Sequence, residues 1–468
     1  MKQRILVIAA VSLLPAVCLG RGGSLFPYAW YVPFDRLIAN TEAFIREHPN
    51  DSQGYYTLGR MHYFTFLNRV PFIPTRKPDS LPPDNVAPDW QTIEQWPGAD
   101  SLLYDVRKDQ AQQLVLEAWG YATRADVPSS MLLEFDSEVW RKLEELIREG
   151  WKPEYLDTDK VLAHAGAAVD NFERALDLDP ANGLYYLSLA SLYDEYLSYT
   201  ADANISEHPR QLACVTIPKI RVTYYLAYRF SIENDHKLTA QPVWANLQGI
   251  VSHEAGSAYL RLAAEKPPIA DTNSVAQVKA DLAKLESLPT VRGPITPVIF
   301  SVQEHGSVLE LLAPDTHVTF DLDGTGRDAQ WPWIKPTTGL LVWDPLNKGE
   351  ITSGRQLFGT ATWWLLFTNG YFALDTLDDN RDGSLSGREL KGVGVWFDRN
   401  ANGRSEPGEV QRATHFGVQA IRTRSTGSDH RMLMSANGIV LKDGTTVPTY
   451  DWLVSPIKRN PGPDNAIH

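Results

Sequence analysis

Hydrophobic and polar residues follow two different patterns along this 468-residue chain. Between about residue 33 and residue 288, apolar residues recur every three or four positions, which is typical of amphipathic helices. Beyond Pro289 and Pro294, the apolar residues form short β-branched and aromatic runs between Gly, Asp and Asn turns, which predicts strands. The sequence therefore predicts a multidomain protein, with an all-α, repeat-like helical domain over residues 21–290 and an α+β domain over residues 296–468.

The periodicity also gives the bounds of individual elements. Helices are predicted at residues 102–122, 138–149, 219–234, 242–264 and 275–285. Strands are predicted at residues 318–320, 340–343, 393–397, 418–422, 432–434 and 439–441. Residues 70–98 are rich in proline, which cannot continue a regular helix, so this segment interrupts the helical domain.

One short motif recurs in the helical domain. It combines small residues that let two helices approach, aromatic residues that fill the groove between them, and a proline that ends the helix. The motif comprises Ala168, Phe172, Ala175 and Pro180, then Tyr186, Leu189, Ala190 and Tyr193 in the next helix, with a weaker copy between Leu37 and His62 that includes Pro49, Tyr55, Leu58 and Gly59. It resembles the tetratricopeptide repeat, whose concave face binds peptides or proteins, and the resemblance implies such a partner here. The alternative is an irregular helical domain that reuses one hairpin for packing.

The first twenty residues have the parts of a secretory signal peptide. Lys2 and Arg4 form a basic start, residues 5–17 are apolar but too short to span a bilayer, and Gly20 precedes a cleavage site at Arg21. We therefore predict removal of residues 1–20 and export to the periplasm or the outside of the cell. No later run reaches about 18 apolar residues, so we expect no membrane span in the mature chain.

Composition narrows the choice of partners. The formal net charge of -13 argues against nucleic acid, which needs a basic surface. Cleavage of the signal peptide would leave Cys214 as the remaining cysteine, which cannot form an internal disulfide. Its apolar neighbours predict a buried, unreactive thiol.

Two segments of the C-terminal domain have the pattern of EF-hand calcium loops. A twelve-residue loop supplies oxygens to Ca²⁺ from side chains at positions 1, 3 and 5, a carbonyl at position 7 and a bidentate glutamate at position 12, with a glycine at position 6. In loop 1 (residues 378–389) the expected ligands are Asp378, Asn380, Asp382, Ser384 and Glu389. In loop 2 (residues 398–409) they are Asp398, Asn400, Asn402, Arg404 and Glu409. Ser384 and Arg404 would contribute only backbone carbonyls.

The spacing of the loops limits what calcium can do. Residues 390–397 are too few for the two helices of a paired EF-hand, so we expect a short helical turn and a strand between the loops. This connection favours structural calcium over a switch that opens a groove. Asn and Asp also favour turns that bind nothing, which is the alternative.

The order of motifs around the loops resembles secreted bacterial calcium-binding domains that accompany repeats-in-toxin proteins. The resemblance covers about residues 318–422, includes the segments 320–324, 339–344 and 354–359, and implies Ca²⁺ as the cofactor. Family members carry a further acidic loop after the strand that ends here at Asp344, but Leu346 and Lys348 replace its oxygen ligands. Asp321 and Asp323 are interpreted as residues that cap a strand, with ion binding as the alternative.

The leading hypothesis is an exported calcium-binding protein that serves as an interaction or scaffold protein, with no catalytic residue predicted. The main alternative is an exported, glycan-active hydrolase with structural calcium. The chain lacks a Gly-x-Ser-x-Gly elbow, a His-Glu-x-x-His zinc motif and a phosphate-binding glycine loop. Its many carboxylates leave a glycosidase pair open. Trp331, Trp333, Trp363 and Trp364 would stack on sugars in that alternative, although we expect them in the core. A dockerin-like anchor is disfavoured, because dockerin repeats are separated by a full helix.

Overall fold

The computed structural model describes residues 31–69, 72–74, 156–203, 205, 208–235, 245–265, 272–286, 295–303, 306–345 and 347–457. These residues form an N-terminal helical region and a C-terminal domain built on a curled antiparallel sheet, as the sequence predicts. The predicted signal peptide and the helices predicted at residues 102–122 and 138–149 lie outside the described residues.

Seven helices make up the described part of the helical region. They are α1 (Phe34–Glu47), α2 (Ser52–Asn68), α3 (Thr158–Leu178), α4 (Gly183–Ala203), α5 (Ile217–Asp235), α6 (Ala245–Glu265) and α7 (Thr272–Glu286). A hairpin of β1 (Tyr31–Pro33) and β2 (Phe72–Pro74) accompanies them. The side chains of Asp51 and Asp157 accept hydrogen bonds from backbone N–H groups at the starts of α2 and α3, which satisfies donors that a helix leaves unpaired. Each of the helices α3 to α6 packs against the next helix along the chain.

Helix α2 packs along α3, although residues 69–157 separate the two helices in sequence. Gly59 allows this approach, because a Cβ atom there would lie 2.6 Å from Cδ1 of the Phe172 ring. Phe172, Ala168 and Ala175 are fully buried. The structure thus places the two copies of the helical motif directly against each other.

The C-terminal domain contains a nine-stranded antiparallel sheet within the described residues, in the order β7-β10-β12-β13-β3-β6-β8-β9 with β11 beside β12. Its strands are β3 (Val298–Phe300), β6 (Gly339–Trp343), β7 (Ser384–Ser386), β8 (Val393–Trp396), β9 (Val410–Arg412), β10 (Val418–Arg422), β11 (Gly427–Asp429), β12 (Met432–Leu441) and β13 (Thr446–Asp451). A separate hairpin pairs β4 (Leu312–Phe320) with β5 (Ala329–Ile334), and a short helix α8 (Gly370–Asp375) precedes loop 1. The strands predicted at 432–434 and 439–441 are the two ends of the single strand β12.

Both faces of the sheet are buried at its central strands β3, β6 and β8. Leu341 and Trp343 pack in a hydrophobic core that also contains the buried residues of the helices. Leu340 and Val342 point the other way and pack with Trp333 of the β4–β5 hairpin. Because both faces are covered, β6 is an uninterrupted apolar run rather than an alternating one. The shared core also packs the helical region directly on the C-terminal domain.

Two predictions about individual side chains are decided by burial. The prediction of a buried thiol is wrong: Cys214 is exposed in the turn that precedes α5, where Leu212 is the residue that enters the core. The expectation of core tryptophans is confirmed. Trp331, Trp333, Trp363 and Trp364 are each no more than 2% exposed, so these rings are not available to stack on a sugar.

Candidate calcium loops

Loop 1 begins three residues after α8 with a tight turn around a buried aspartate. Asp378 is fully buried, and its Oδ2 accepts a hydrogen bond from the backbone N–H of Gly383 at 2.8 Å. Gly383 has a φ of +81°, a conformation that favours glycine. Asn380 Oδ1 accepts the N–H of Asp382 at 3.0 Å. Positions 1, 3 and 6 of the predicted loop therefore form one compact turn.

Glu389, at position 12, reaches back across the same loop. Its Oε1 accepts the N–H groups of Asp379 at 2.9 Å and Asn380 at 3.3 Å, and its Oε2 accepts the N–H of Ser386 at 2.9 Å. The last of these bonds belongs to a capping box that starts the 3₁₀ turn Gly387–Leu390. The carboxylate expected to hold calcium at two points thus already connects the two ends of the loop.

Loop 2 repeats this arrangement. Asp398 Oδ2 accepts the N–H of Gly403 at 2.7 Å, and Glu409 Oε1 accepts the N–H of Arg399 at 2.8 Å. Glu409 Oε2 accepts the N–H of Glu406 at 3.1 Å. The indole Nε1–H of Trp333 donates to Asp398 Oδ2 at 2.7 Å, which fixes that carboxylate against the core. The connection between the loops is the turn Gly387–Leu390 followed by β8, as predicted.

The electrostatics of both loops suit a cation. Burial raises the pKa of the Asp378 carboxyl, and the nearby charges of Asp375, Asp382 and Glu389 act in the same direction. Asp378 Oδ1 is buried and makes no hydrogen bond. Burial likewise raises the pKa of Asp398. A buried carboxylate oxygen without a donor is costly, and a divalent ion would remove that cost. On this observation the donor set of loop 1 fits Ca²⁺, whereas in loop 2 the Oδ1 of Asp398 accepts the N–H of Asn402 at 3.1 Å.

The middle positions of the loops are arranged differently from the ends. Asn380 Nδ2 donates to Asp382 Oδ2 at 3.1 Å, and in loop 2 the amides of Asn400 and Asn402 donate to Glu406 at 2.9 and 3.0 Å. Within the described residues, no three His, Cys, Asp or Glu side chains are gathered as a metal-binding group. In EF-hand loops, amide side chains and backbone carbonyls supply the remaining oxygen ligands of the ion. The side chains at these middle positions would therefore have to rotate before their oxygens could bind an ion.

Two further turns in the domain have the same aspartate–glycine hydrogen bond. The N–H of Gly326 donates to Asp321 Oδ1 at 2.9 Å, and the N–H of Gly349 donates to Asp344 Oδ2 at 2.9 Å. Asp321 follows directly on β4, which agrees with its interpretation as a strand cap, and its Oδ2 accepts the hydroxyl of Ser353 at 2.7 Å. The signal for these turns was an aspartate five residues before a glycine, without a glutamate at position 12.

The C-terminal domain also matches a known family. Residues 299–454, about a third of the chain, match the family model of the SPM domain, and loops 1 and 2 both lie inside this match. Searches of curated proteins and of solved structures gave no match. None of the described helices is long and apolar enough to cross a membrane.

Proposed function

We propose that the chain is an exported calcium-binding protein in which loops 1 and 2 each hold a structural Ca²⁺. The helical region would serve as an interaction scaffold for a protein or peptide. The predicted signal peptide supports export, and the paired loops support calcium as the cofactor. The ligands would be those expected from the sequence, with Asp378 and Glu389 closing loop 1 and Asp398 and Glu409 closing loop 2.

The buried, unpartnered Oδ1 of Asp378 is the observation that carries the proposal for calcium. It lies in a loop where several carboxylates approach one another, and Glu389 already spans that loop. A hard divalent cation is the ligand class that such an oxygen-only site prefers. Exported compartments hold calcium near millimolar levels, so dissociation constants of about 10⁻⁴–10⁻³ M are sufficient.

Calcium would then stabilise the domain by mass action. At a concentration about 100 times the dissociation constant, each ion would add about 2.7 kcal/mol to the free energy of unfolding. That is a large share of the roughly 5–15 kcal/mol of a typical domain. Calcium in these loops would therefore act mainly on the stability and shape of the C-terminal domain.

Isothermal titration calorimetry on residues 21–468 tests the proposal directly. We expect two calcium sites in the wild-type protein, one in Asp378→Asn, one in Asp398→Asn and none in the double variant. Asp443→Asn is the matched control, because Asp443 lies in an exposed turn and accepts the N–H of Thr445. Magnesium serves as a second control, since it demands a smaller, octahedral site. The absence of both binding heat and a calcium-dependent rise in melting temperature would refute calcium binding.

The interaction role rests on the helical packing. Helices α3 and α4 form the hairpin that resembles a tetratricopeptide repeat, and α2 packs on α3 through Gly59 and Phe172. Cross-linking of the full chain to other exported proteins, followed by titration of each purified candidate, tests this role. Saturable binding that maps to the helices supports a scaffold, whereas binding confined to the C-terminal domain contradicts it.

A further inference from the structure

Helix α1 contacts loop 1 through side chains at its surface. Arg36 Nε donates to Asp379 Oδ1 at 2.7 Å, and its Nη2 donates to the carbonyl of Leu377. Asn40 Nδ2 donates to the carbonyl of Thr376 at 2.9 Å and to Asp379 Oδ1 at 3.0 Å. Thr376 and Leu377 follow directly on α8, where carbonyl groups have no partner within the helix. The helical region therefore supplies donors to the backbone that leads into loop 1.

A second contact holds the other side of the loop. Arg381 has a φ of +60°, and its guanidinium bridges Asp375 Oδ2 at 2.5 Å and Glu47 Oε2 of α1 at 3.1 Å. The ring of Phe44 lies beneath this bridge and packs on Phe372 of α8 with a centroid distance of 4.6 Å. Helix α1 thus holds loop 1 at Asp379 and Arg381, which are positions 2 and 4. These two positions alternate with positions 1, 3 and 5, where side chains would bind calcium.

Loop 2 lacks this arrangement among the described residues. Its hydrogen bonds run within the loop, to Trp333, and between Ser405 and Ile351, all in the C-terminal domain. The two loops share the same turn, the same position-12 contacts and the same proposed ion. They differ in that loop 1 also forms part of the contact between the two regions. Loop 2 is therefore an internal control for any effect that passes through α1.

We propose that a cation bound in loop 1 stabilises the contact between the helical region and the C-terminal domain, with Arg36, Asn40 and Glu47 as positioning residues. This proposal rests on the calcium function proposed above. Each of their contacts requires the backbone of residues 376–381 to keep one shape, and a cation bound at positions 1, 3 and 5 holds that same backbone. Because coupling between two binding events is reciprocal, docked α1 also increases the affinity of loop 1 for calcium. Coupling of this type usually changes affinity by about 5–150-fold.

Hydrogen exchange measured by mass spectrometry on residues 21–468 tests this inference. Calcium should slow exchange in α1 in the wild-type protein and in Asp398→Asn, but not in Asp378→Asn. Calorimetry on the same samples reports separately whether each loop binds calcium. If neither loop binds, the proposed function itself fails. If loop 1 binds and exchange in α1 does not change, or changes equally when only loop 2 is filled, the coupling is refuted.

A charge-neutral variant tests the reciprocal effect. Asn40→Ala removes the donor to Thr376 and Asp379 without changing the charge near the ion. In an Asp398→Asn background it should weaken calcium binding to loop 1 by about fivefold or more, the lower end of usual coupling. In an Asp378→Asn background it should leave loop 2 unchanged. Asn171→Ala is the matched control, because Asn171 bonds within α3 to the carbonyl of Ala167. Equal affinities of loop 1 with and without Asn40 would overturn its role.

Discussion

The glycines at position 6 of the two loops have the same backbone conformation but different surroundings. Gly383 and Gly403 have φ values of +81° and +71°. A Cβ atom on Gly383 would meet nothing closer than Arg424 Cδ at 3.8 Å, whereas on Gly403 it would lie 2.6 Å from Cβ of Val318. Val318 is buried on β4 and cannot move without disturbing the core. We therefore expect Gly403→Ala to destabilise the protein more than Gly383→Ala.

The expected losses in the free energy of unfolding have two sources, the backbone conformation and the packing of the added methyl group. An L-residue in the left-handed region costs about 1–2 kcal/mol, and both variants incur this term. Forcing an extra carbon into a packed core costs about 1–3 kcal/mol, and only Gly403→Ala incurs this second term. We expect a loss of about 1–2 kcal/mol for Gly383→Ala and about 2–5 kcal/mol for Gly403→Ala, as the sum of these terms.

Urea unfolding of the full chain in the presence of a chelator measures these losses without any contribution from bound calcium. Gly417→Ala is the control for the backbone term, because Gly417 has a φ of +76° and nothing within 4 Å of an added Cβ. Gly383→Ala should match this control, and Gly403→Ala should exceed both. Equal losses at all three positions would show that β4 yields to the added methyl group and that the packing around loop 2 is looser than inferred.

Three other substitutions give separate tests. Burial raises the pKa of Asp451 from 3.8 to about 7, so the folded state retains a proton that the unfolded state loses, and stability falls as pH rises from 4 to 7. In urea unfolding, Asp451→Asn should remove this pH dependence and raise the free energy of unfolding by up to about 4 kcal/mol at pH 8. An unchanged pH profile would contradict a raised pKa at Asp451. Trp333→Phe deletes the donor to Asp398, so calorimetry should show a several-fold weaker calcium affinity of loop 2 and an unchanged affinity of loop 1. An equal loss of affinity in both loops would contradict a specific role of the Trp333 indole in loop 2. Gly59→Ala places a methyl group against Phe172 and should lower the free energy of unfolding by about 1–3 kcal/mol, measured by thermal unfolding with circular dichroism. A higher melting temperature would show that the Phe172 ring can move aside.

The periodic elements were predictable because each contains its own signal. Helix α5 and strand β6 show their helical spacing or apolar run within a few residues, and the structure has them close to the predicted bounds. Strand β5 was missed, since Pro332 lies inside it and proline argues against a strand. It is tolerated here because β5 belongs to a two-stranded hairpin rather than to the centre of the sheet.

The pairing of α2 with α3 lay beyond local sequence signals. Gly59 and Phe172 belong to motif copies that appeared separate, because residues 69–157 interrupt them. Their packing depends on the complementary shapes of a glycine and an aromatic ring rather than on spacing along the chain. The contact of α1 with loop 1 was equally hidden. Arg36 and Asp379 are 343 residues apart, and charged surface positions give no indication of which opposite charge they will meet.

The four aspartate–glycine turns show which part of the loop pattern is informative. The turns at Asp321 and Asp344 form the same hydrogen bond as loops 1 and 2, so this turn alone does not indicate an ion. At Asp321 the Nε of buried Arg355 donates to the carbonyl of Gly324 at 2.7 Å, and at Asp344 position 5 is Lys348. These two turns thus have a basic side chain of the protein at or inside the turn.

Loops 1 and 2 instead combine a buried aspartate with a glutamate that returns from position 12. In each loop the charge of the glutamate raises the pKa of the buried aspartate, in addition to the effect of burial. The domain therefore uses one turn in two ways, and of these four turns only those of loops 1 and 2 are joined by a glutamate from position 12. Because buried negative charge is costly without a counterion, we predict that the position-12 glutamates Glu389 and Glu409, rather than the turn itself, mark the loops that bind a cation.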